Sequence, residues 1–473
     1  MSPEARTGGA ADSGDVLQAE HFLKFAMAAY GPLMYMYSAR WGCCGKALSL
    51  GSKAARREMR RWLRVQKAAG SQQDAGALGR EAIFEFSGIP EEDLIHVSKI
   101  NQRRGSLPYF VALDRASGSA VLSIRGTMSV ADCLTDAQMD PTPVGEWLAG
   151  VPPGDVKGGG GGGEEPHAHS GMLRAARAVL ADLYENQVLD GLLRPPDVSF
   201  SGPEAPREHG ASLRHGPSGT EARQRGQGPQ GEPRGPMPSG WGLVVTGHSL
   251  GAGVAALVGL KLRERFPLLR IWVYAAPGCL ISRSVAESMS SFCTNVVLGQ
   301  DWVPRANLLN AHSLRDSIMM ASTHCRLPKL VVMYGSLMRC LPRRLREEQL
   351  FHETDRLPPE PAEVWRSYCR REGGCTASPV MAPALNFVSP GRTLFLRPLE
   401  HQTRANRGKY EAVWLSVGAL QAEGLLISRR CLADHFPGSI LQALSALAKD
   451  GSAETLSQGL DMPNMAEKRG SNC

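Results

Sequence analysis

The segment that most constrains this chain begins at Leu243, where four residues, LVVT, run directly into Gly247-His248-Ser249-Leu250-Gly251, and an Ala- and Leu-rich stretch follows to Arg265. A short apolar, β-branched run reads as a buried strand, and the longer stretch after it as a helix. Two glycines flanking a serine at a strand-to-helix junction permit a turn so sharp that the hydroxyl stands at its tip, the nucleophile-elbow pattern. Gly-x-Ser-x-Gly alone is weak, because an ordinary Gly-rich turn also satisfies it. The strand before it and the helix after it make it specific here.

The rest of the chain supplies a sheet for such an elbow. Tyr109 to Leu113 and Ala120 to Ile124 flank a polar turn and read as a hairpin. Met172 to Val188 carries apolar residues at 172, 173, 176, 179, 180 and 183, a helical period. Leu269 to Ala275 and Asn295 to Leu298 are further strands at the spacing of alternating strand and helix, which argues for a mostly parallel sheet. Thr393 to Leu396 and Ala412 to Val417 read as returning strands, and Gly438 to Lys449 as a closing helix. The expected fold is therefore α/β, an α/β-hydrolase with a mostly parallel central sheet. It is one domain, residues 71–450. A disordered leader (1–20) and a basic, membrane-proximal segment (21–70) precede it, and a flexible tail (451–473) follows. Glycine (52) and proline (32) are abundant among the 473 residues. Much of that surplus lies in two low-complexity insertions, 150–166 and 201–240, which cannot bury a core. Residues 310–390, rich in proline and basic clusters, read as an excursion from the sheet.

A nucleophilic serine needs a base, and that base needs a carboxylate, in the chain order Ser, Asp, His for this fold. Asp301 follows the strand in NVVLGQDWVPR and is the candidate acid; a solvated loop carboxylate is the plainer alternative. Downstream lie His312, His324, His352, His401 and His435. His435 stands near the end of the folded region before Phe-Pro and a new helix, and is the favoured base, with a capping or surface histidine as its alternative. Asp434 beside it reads as the helix cap. An oxyanion hole needs two donors. The amide of Leu250 is one, and the Arg125-Gly126-Thr127 segment after the AVLSI strand offers Thr127 as the other, unless it is a simple turn. Gly247 and Gly251 are the elbow glycines.

The net charge is +7. Part of the excess lies between Lys53 and Lys67, after the apolar stretch FLKFAMAAYGPLMYMY (from Phe22) and the pair Cys43-Cys44. Arg56, Arg57, Arg60, Arg61 and Trp62 suit an anionic membrane surface, with the cysteine pair open to palmitoylation; an amphipathic helix packed on the domain is the alternative. No apolar run reaches the roughly 18 to 20 residues of a spanning helix, so no transmembrane helix is expected. Eleven scattered cysteines with no CxxC pair read as reduced thiols, not a zinc site. No metal ligand set and no nucleic-acid partner are expected.

Together these motifs resemble the class 3 lipases, and more narrowly the sn-1-specific diacylglycerol lipases. The residues that carry the resemblance are IRGT (124–127), GHSLGAG (247–253), YAAPGCLIS (274–282), GQDWVPR (299–305) and the stretch before the cysteine pair. The short tail after His435 is more like the beta member than the long-tailed alpha member. The resemblance implies Ser249, Asp301 and His435 as catalytic triad and the 310–390 region as a regulatory loop. It implies hydrolysis of the sn-1 acyl ester of membrane diacylglycerol, giving a 2-monoacylglycerol (such as 2-arachidonoylglycerol, an endocannabinoid) and a fatty acid. It further implies no cofactor for the chemistry, calcium as an activator with no DxDxDG loop to assign it to, and a place at the cytoplasmic face of the plasma membrane. Family members carry an N-terminal bundle of four transmembrane helices, and nothing like it precedes residue 20, so a truncated form is expected. The alternatives are another serine lipase, for triacylglycerol or phospholipid, and an inactive form that only binds membranes.

Overall fold

The computed structural model describes residues 7–31, 72–98, 107–126, 140–149, 151, 165–193, 240–327, 350–372, 382–399, 408–428 and 430–460. In chain order its main elements are strand β1 (Thr7–Ala10), helices α1 (Ser13–Ala28) and α2 (Gln72–Ser87), strands β2 (Leu94–Val97), β3 (Tyr109–Asp114) and β4 (Ser119–Ile124), and the short strands β5 (Pro141–Pro143) and β6 (His167–His169). Helix α3 (Ser170–Glu185), strand β7 (Gly242–His248), helix α4 (Leu250–Leu262), and strands β8 (Arg270–Tyr274) and β9 (Cys293–Leu298) follow. The chain closes with helices α5 (Leu308–His324) and α6 (Pro359–Glu372), strands β10 (Arg392–Pro398) and β11 (Tyr410–Leu415), the single turn α7 (Ala419–Ala422) and helix α8 (Pro437–Leu460).

Nine strands form one sheet in the order β1-β11-β10-β9-β8-β7-β4-β3-β2. The five central strands, β4, β7, β8, β9 and β10, are all parallel, and antiparallel strands close both ends. Parallel strands must be covered on both faces, and alternate residues sort onto the two sides. Leu122, Ile124, Val245, Ile271 and Val273 pack with α3 and α4. Val121, Val244, Trp272 and Tyr274 pack with α1 and α8. This is the expected α/β-hydrolase arrangement. Its parallel strands all end at one edge, where ligands of such sheets bind.

The N-terminal part differs from expectation. Residues 7–20 are not a disordered leader: β1 adds an edge to β11, with Thr7 opposite Leu415 and Ala10 opposite Val413, and α1 begins within the same stretch. Asp12 caps α1, its carboxylate accepting from the Asp15 N–H at 2.7 Å. Residues 21–28, within the segment expected to be membrane-proximal, complete α1, which packs on the sheet beside α8 and buries Phe22, Leu23, Phe25, Ala26 and Met27. Burial of each large side chain among them is worth about 1.5–3 kcal/mol, which is why this helix joins the core. Arg56, Arg57, Arg60, Arg61 and Trp62, both cysteines of the pair and residues 201–239 of the second insertion lie outside the described residues. No described helix is long and apolar enough to cross a membrane. In the 310–390 region, α5 and α6 pack against each other, while Phe387 and Val388 are buried, Val388 in the core cluster of the sheet and α4.

Two polar ties fasten α1 to the β3–β4 hairpin: the Ser123 hydroxyl donates to the Phe25 carbonyl at 2.9 Å, and His21 bonds Asp114. Asp114 accepts from His21 Nε2 at 2.6 Å, from the Ser117 hydroxyl and from the Ala116 N–H at 3.2 Å. Burial alone would raise the Asp114 carboxyl, but the hydrogen bonds from His21 and Ser117 outweigh it and hold the group below its ordinary value. A carboxyl so depressed stabilises the folded chain above its unfolded pKa of about 3.9, and that contribution is lost as pH falls through the lower folded value. Asp114→Asn is therefore expected to lower unfolding free energy at pH 6 by about 1.5–3 kcal/mol, with the difference shrinking below about pH 4; urea denaturation at both pH values measures it.

Candidate active site

The elbow forms because β7 and α4 meet with no linker. Ser249 sits at φ 60° and ψ −128°, a left-handed backbone at a non-glycine residue, held by its N–H donating to the Tyr274 carbonyl at 2.9 Å. Such strain costs of the order of 1–3 kcal/mol and persists only where surrounding structure enforces it. Here the enforcement is close backbone packing. A Cβ at Gly251 would stand 2.5 Å from the Ile124 carbonyl oxygen and 2.6 Å from the Gly126 nitrogen, and one at Gly247 would stand 2.5 Å from the Gly251 carbonyl oxygen. Only glycine lets β4 pass so near the elbow. The register, Ile124 opposite Gly247, then sets the Arg125-Gly126 segment beside it.

Ser249 precedes the first turn of α4, so its side chain lies at the positive end of that helix and makes no capping bond. Its hydroxyl is instead 2.9 Å from His435 Nε2. The other ring nitrogen, Nδ1, is 3.0 Å and 3.1 Å from the two Asp301 carboxylate oxygens. A carboxylate accepts only, so Nδ1 carries the proton and Nε2 accepts from the serine hydroxyl. All three side chains are buried, Asp301 completely. The structure thus brings together the three residues singled out from the sequence, in the orientation in which a histidine can take a serine proton.

Asp301 is held by its own turn and by an ion pair. Its carboxylate accepts from the Val303 N–H at 3.0 Å, and its carbonyl accepts from Arg305 Nη1 at 2.8 Å. The Arg305 guanidinium is 1% exposed and also donates to Glu423 at 2.8 Å. Asn310 Nδ2 bridges the carbonyls of Arg305 and Gln421, each at 2.8 Å. The end of β9 is in this way tied to α7, which follows β11.

Asp434 does not cap α8. Its carboxylate accepts from the Gln300 N–H at 2.8 Å and pairs with Arg430 at 3.5 Å, pinning the His435 turn to the Asp301 turn. The backbone amide beside Asp301 outcompeted the helix end because the two turns lie against each other, as the hydrogen bond from Trp302 N–H to the Cys431 carbonyl also records. Burial raises the Asp434 carboxyl above its ordinary value.

Of the two oxyanion donors expected, Leu250 is the first residue of α4, so its N–H has no acceptor within the helix. Thr127 lies outside the described residues. Among the described residues, no group of three or more His, Cys, Asp or Glu side chains is placed to hold a metal ion. Sequence reasoning missed His248 and Tyr30. His248 is one of the two variable residues of the Gly-x-Ser-x-Gly pattern, which assigns it no role. It is hydrogen-bonded at both ring nitrogens, 2.9 Å from the Tyr30 hydroxyl and 2.8 Å from the His435 carbonyl oxygen.

Fold and site together define an α/β-hydrolase with a Ser-His-Asp arrangement on a nucleophile elbow. Residues 237–311, the elbow and the Asp301 turn, match the family described as Lipase (class 3). The chain is similar to diacylglycerol lipase-beta of Mus musculus, 27% identical over 93% of this chain and 57% of that protein. It is also similar to diacylglycerol lipase-alpha of Homo sapiens, 25% identical over 91% of this chain and 36% of that protein. The chain therefore spans little more than half, or about a third, of the length of these relatives. Among solved structures it matches a mutant form of MDLA from Penicillium cyclopium at 14% identity and TM-score 0.41, covering 92% of this chain and 99% of that one. A deletion mutant of the Rhizomucor miehei lipase propeptide complex matches at 14% identity and TM-score 0.38, covering 93% of this chain and 79% of that one.

The glycine argument is testable. Gly251→Ala is expected to destabilise the chain by about 1–3 kcal/mol through overpacking, read as a lower urea midpoint with an unchanged slope; an unchanged midpoint would contradict the close approach of β4.

Proposed function

We propose that the chain is a serine lipase that hydrolyses the sn-1 acyl ester of diacylglycerol to a 2-monoacylglycerol and a free fatty acid. The observation that carries the chemistry is the hydrogen-bonded series Ser249–His435–Asp301 on the elbow, with the strained serine facing the imidazole. The substrate rests on the likeness to the two diacylglycerol lipases.

In this reading His435 Nε2 takes the Ser249 proton as Oγ attacks the acyl carbonyl carbon. The oxyanion that forms is held by the amides of Leu250 and Thr127, the second assigned from its place two residues after Arg125. Asp301 holds the imidazole in its Nδ1–H tautomer and stabilises the imidazolium. His435 then returns the proton to the departing glycerol oxygen, leaving Ser249 acylated. Water attacks that ester by the same route and releases the fatty acid. This chain's residues suffice for each step, and calcium, if it activates the enzyme, acts outside the sequence of proton transfers.

The substrate lies in a bilayer, so the chain must reach one. Arg56, Arg57, Arg60, Arg61 and Trp62 are the residues proposed to touch an anionic membrane, which would place the enzyme at the cytoplasmic face. The four arginines changed together to glutamate are expected to abolish sedimentation with phosphatidylserine vesicles; undiminished binding would remove them from that role.

For the chemistry, a fluorophosphonate probe is expected to label the chain, and Ser249→Ala to abolish labelling. With dispersed lipids, release of 2-monoacylglycerol from diacylglycerol supports the substrate, whereas faster cleavage of phospholipid or triacylglycerol would overturn it while leaving the triad in place. No labelling of the intact chain would overturn the enzymatic reading and favour a membrane-binding protein without activity.

A further inference from the structure

The proposed proton transfers leave one buried imidazole of the site unused. His248 sits one residue before the nucleophile, 4.9 Å from the His435 ring between centroids. Its hydrogen bonds fix what each nitrogen does. Nε2 is 2.8 Å from the backbone carbonyl oxygen of His435, which can only accept, so Nε2 carries the proton. Nδ1 then holds a lone pair and accepts from the Tyr30 hydroxyl at 2.9 Å. The ring has one tautomer with both nitrogens satisfied. Burial first, and the neighbouring His435 second, push its pKa down to about 3, so it stays uncharged. That neutrality matters beside a second imidazole that becomes positive during turnover, since a charge so near would oppose it.

The partners explain why such a ring is needed. His435 lies in the turn before α8, with neither a strand nor a helix to hold its peptide. Asp434 ties that turn to the Asp301 side through the Gln300 amide, but on the Ser249 side the tie is the His248 bond to the His435 carbonyl. Tyr30 stands two residues past the end of α1, its N–H donating to the Met27 carbonyl at 3.1 Å, and so gives His248 a support on a core helix 218 residues distant in sequence. The Tyr30 hydroxyl also lies 2.5 Å from where a Cβ on Gly126 would stand, against the segment that leads to Thr127.

From this geometry we infer that His248 and Tyr30 are positioning residues of the site: the Tyr30 hydroxyl orients the His248 ring, and the ring's Nε2–H holds the His435 backbone so that the His435 ring faces Ser249 and Asp301 at once. The inference rests on the reading of Ser249, Asp301 and His435 as the triad. It gives the N-terminal helix a part in the active site that its place in the sequence does not suggest.

The test compares His248→Leu, His248→Gln and Tyr30→Phe in the full chain. Glutamine keeps an N–H donor at the reach of Nε2, while leucine fills similar space with no donor. With p-nitrophenyl butyrate, His248→Leu is expected to lower kcat about 10- to 100-fold with little change in KM, as a misplaced catalytic group does. His248→Gln should recover most of that loss, and Tyr30→Phe should fall between wild type and His248→Leu. The rate of fluorophosphonate labelling should follow kcat, and thermal melting reports whether each variant is folded. Wild-type kcat in folded His248→Leu, or glutamine and leucine variants equally impaired, overturns the positioning role while the triad stands. An unlabelled wild-type chain overturns the triad and this inference with it.

Discussion

The site depends on a backbone held where a non-glycine residue does not rest. Ser249 adopts φ 60° because β7 stops against α4 with no room for a wider turn, and the Ile124 carbonyl presses on the elbow from the neighbouring strand. The strain is offset by what surrounds it: β7 is buried on both faces, and every described residue of α4 from Gly251 to Leu260 is buried as well. A buried strand and a buried helix cannot both shift to relieve one residue, so the hydroxyl is fixed in space before any partner reaches it.

What the elbow fixes, two turns must then meet. The Asp301 turn is built around Arg305, whose guanidinium is withdrawn from water and directs its donors to the Asp301 carbonyl and to Glu423. A buried cation without partners would be expensive, so this one is satisfied by the elements it joins. The His435 turn has no such cation. It is held on one side by the Asp434 carboxylate on the Gln300 amide, and on the other by His248. Polar ties are suited to this task because their direction is specified, whereas apolar packing against α1 and α8 sets distance but little orientation.

Much of this was legible in the sequence, and the parts that were not share a cause. The hairpin, the strands at Leu243 and Asn295, and the elbow declare themselves by local pattern: period-two or continuous apolar runs bounded by turn residues. Asp301, at the end of its strand, was legible for the same reason. The N-terminal helix was not. FLKFAMA has the composition of a core helix and of a membrane-surface helix alike, since hydrocarbon and protein interior reward the same side chains. Asp434 was misread because a carboxylate just before a helix start has a local partner on offer, and the stronger partner, the Gln300 amide, lies 134 residues away. His248 was passed over because its motif position is defined as variable.

The sequence by itself marked out the fold class and the elbow with its serine, which follow from residue type and spacing within a few neighbours, and offered Asp301 and His435 as candidates from their places after a strand and near the end of the folded region. The tertiary structure alone decided which segments support that site. Only when α1 is laid across β7 and β8 does Tyr30 come within 2.9 Å of His248, and only the parallel order β9-β10 with β11 turned back brings Glu423 to Arg305. A hydrogen bond is satisfied over a few ångströms whatever length of chain joins its ends, and a one-dimensional pattern holds no record of that distance.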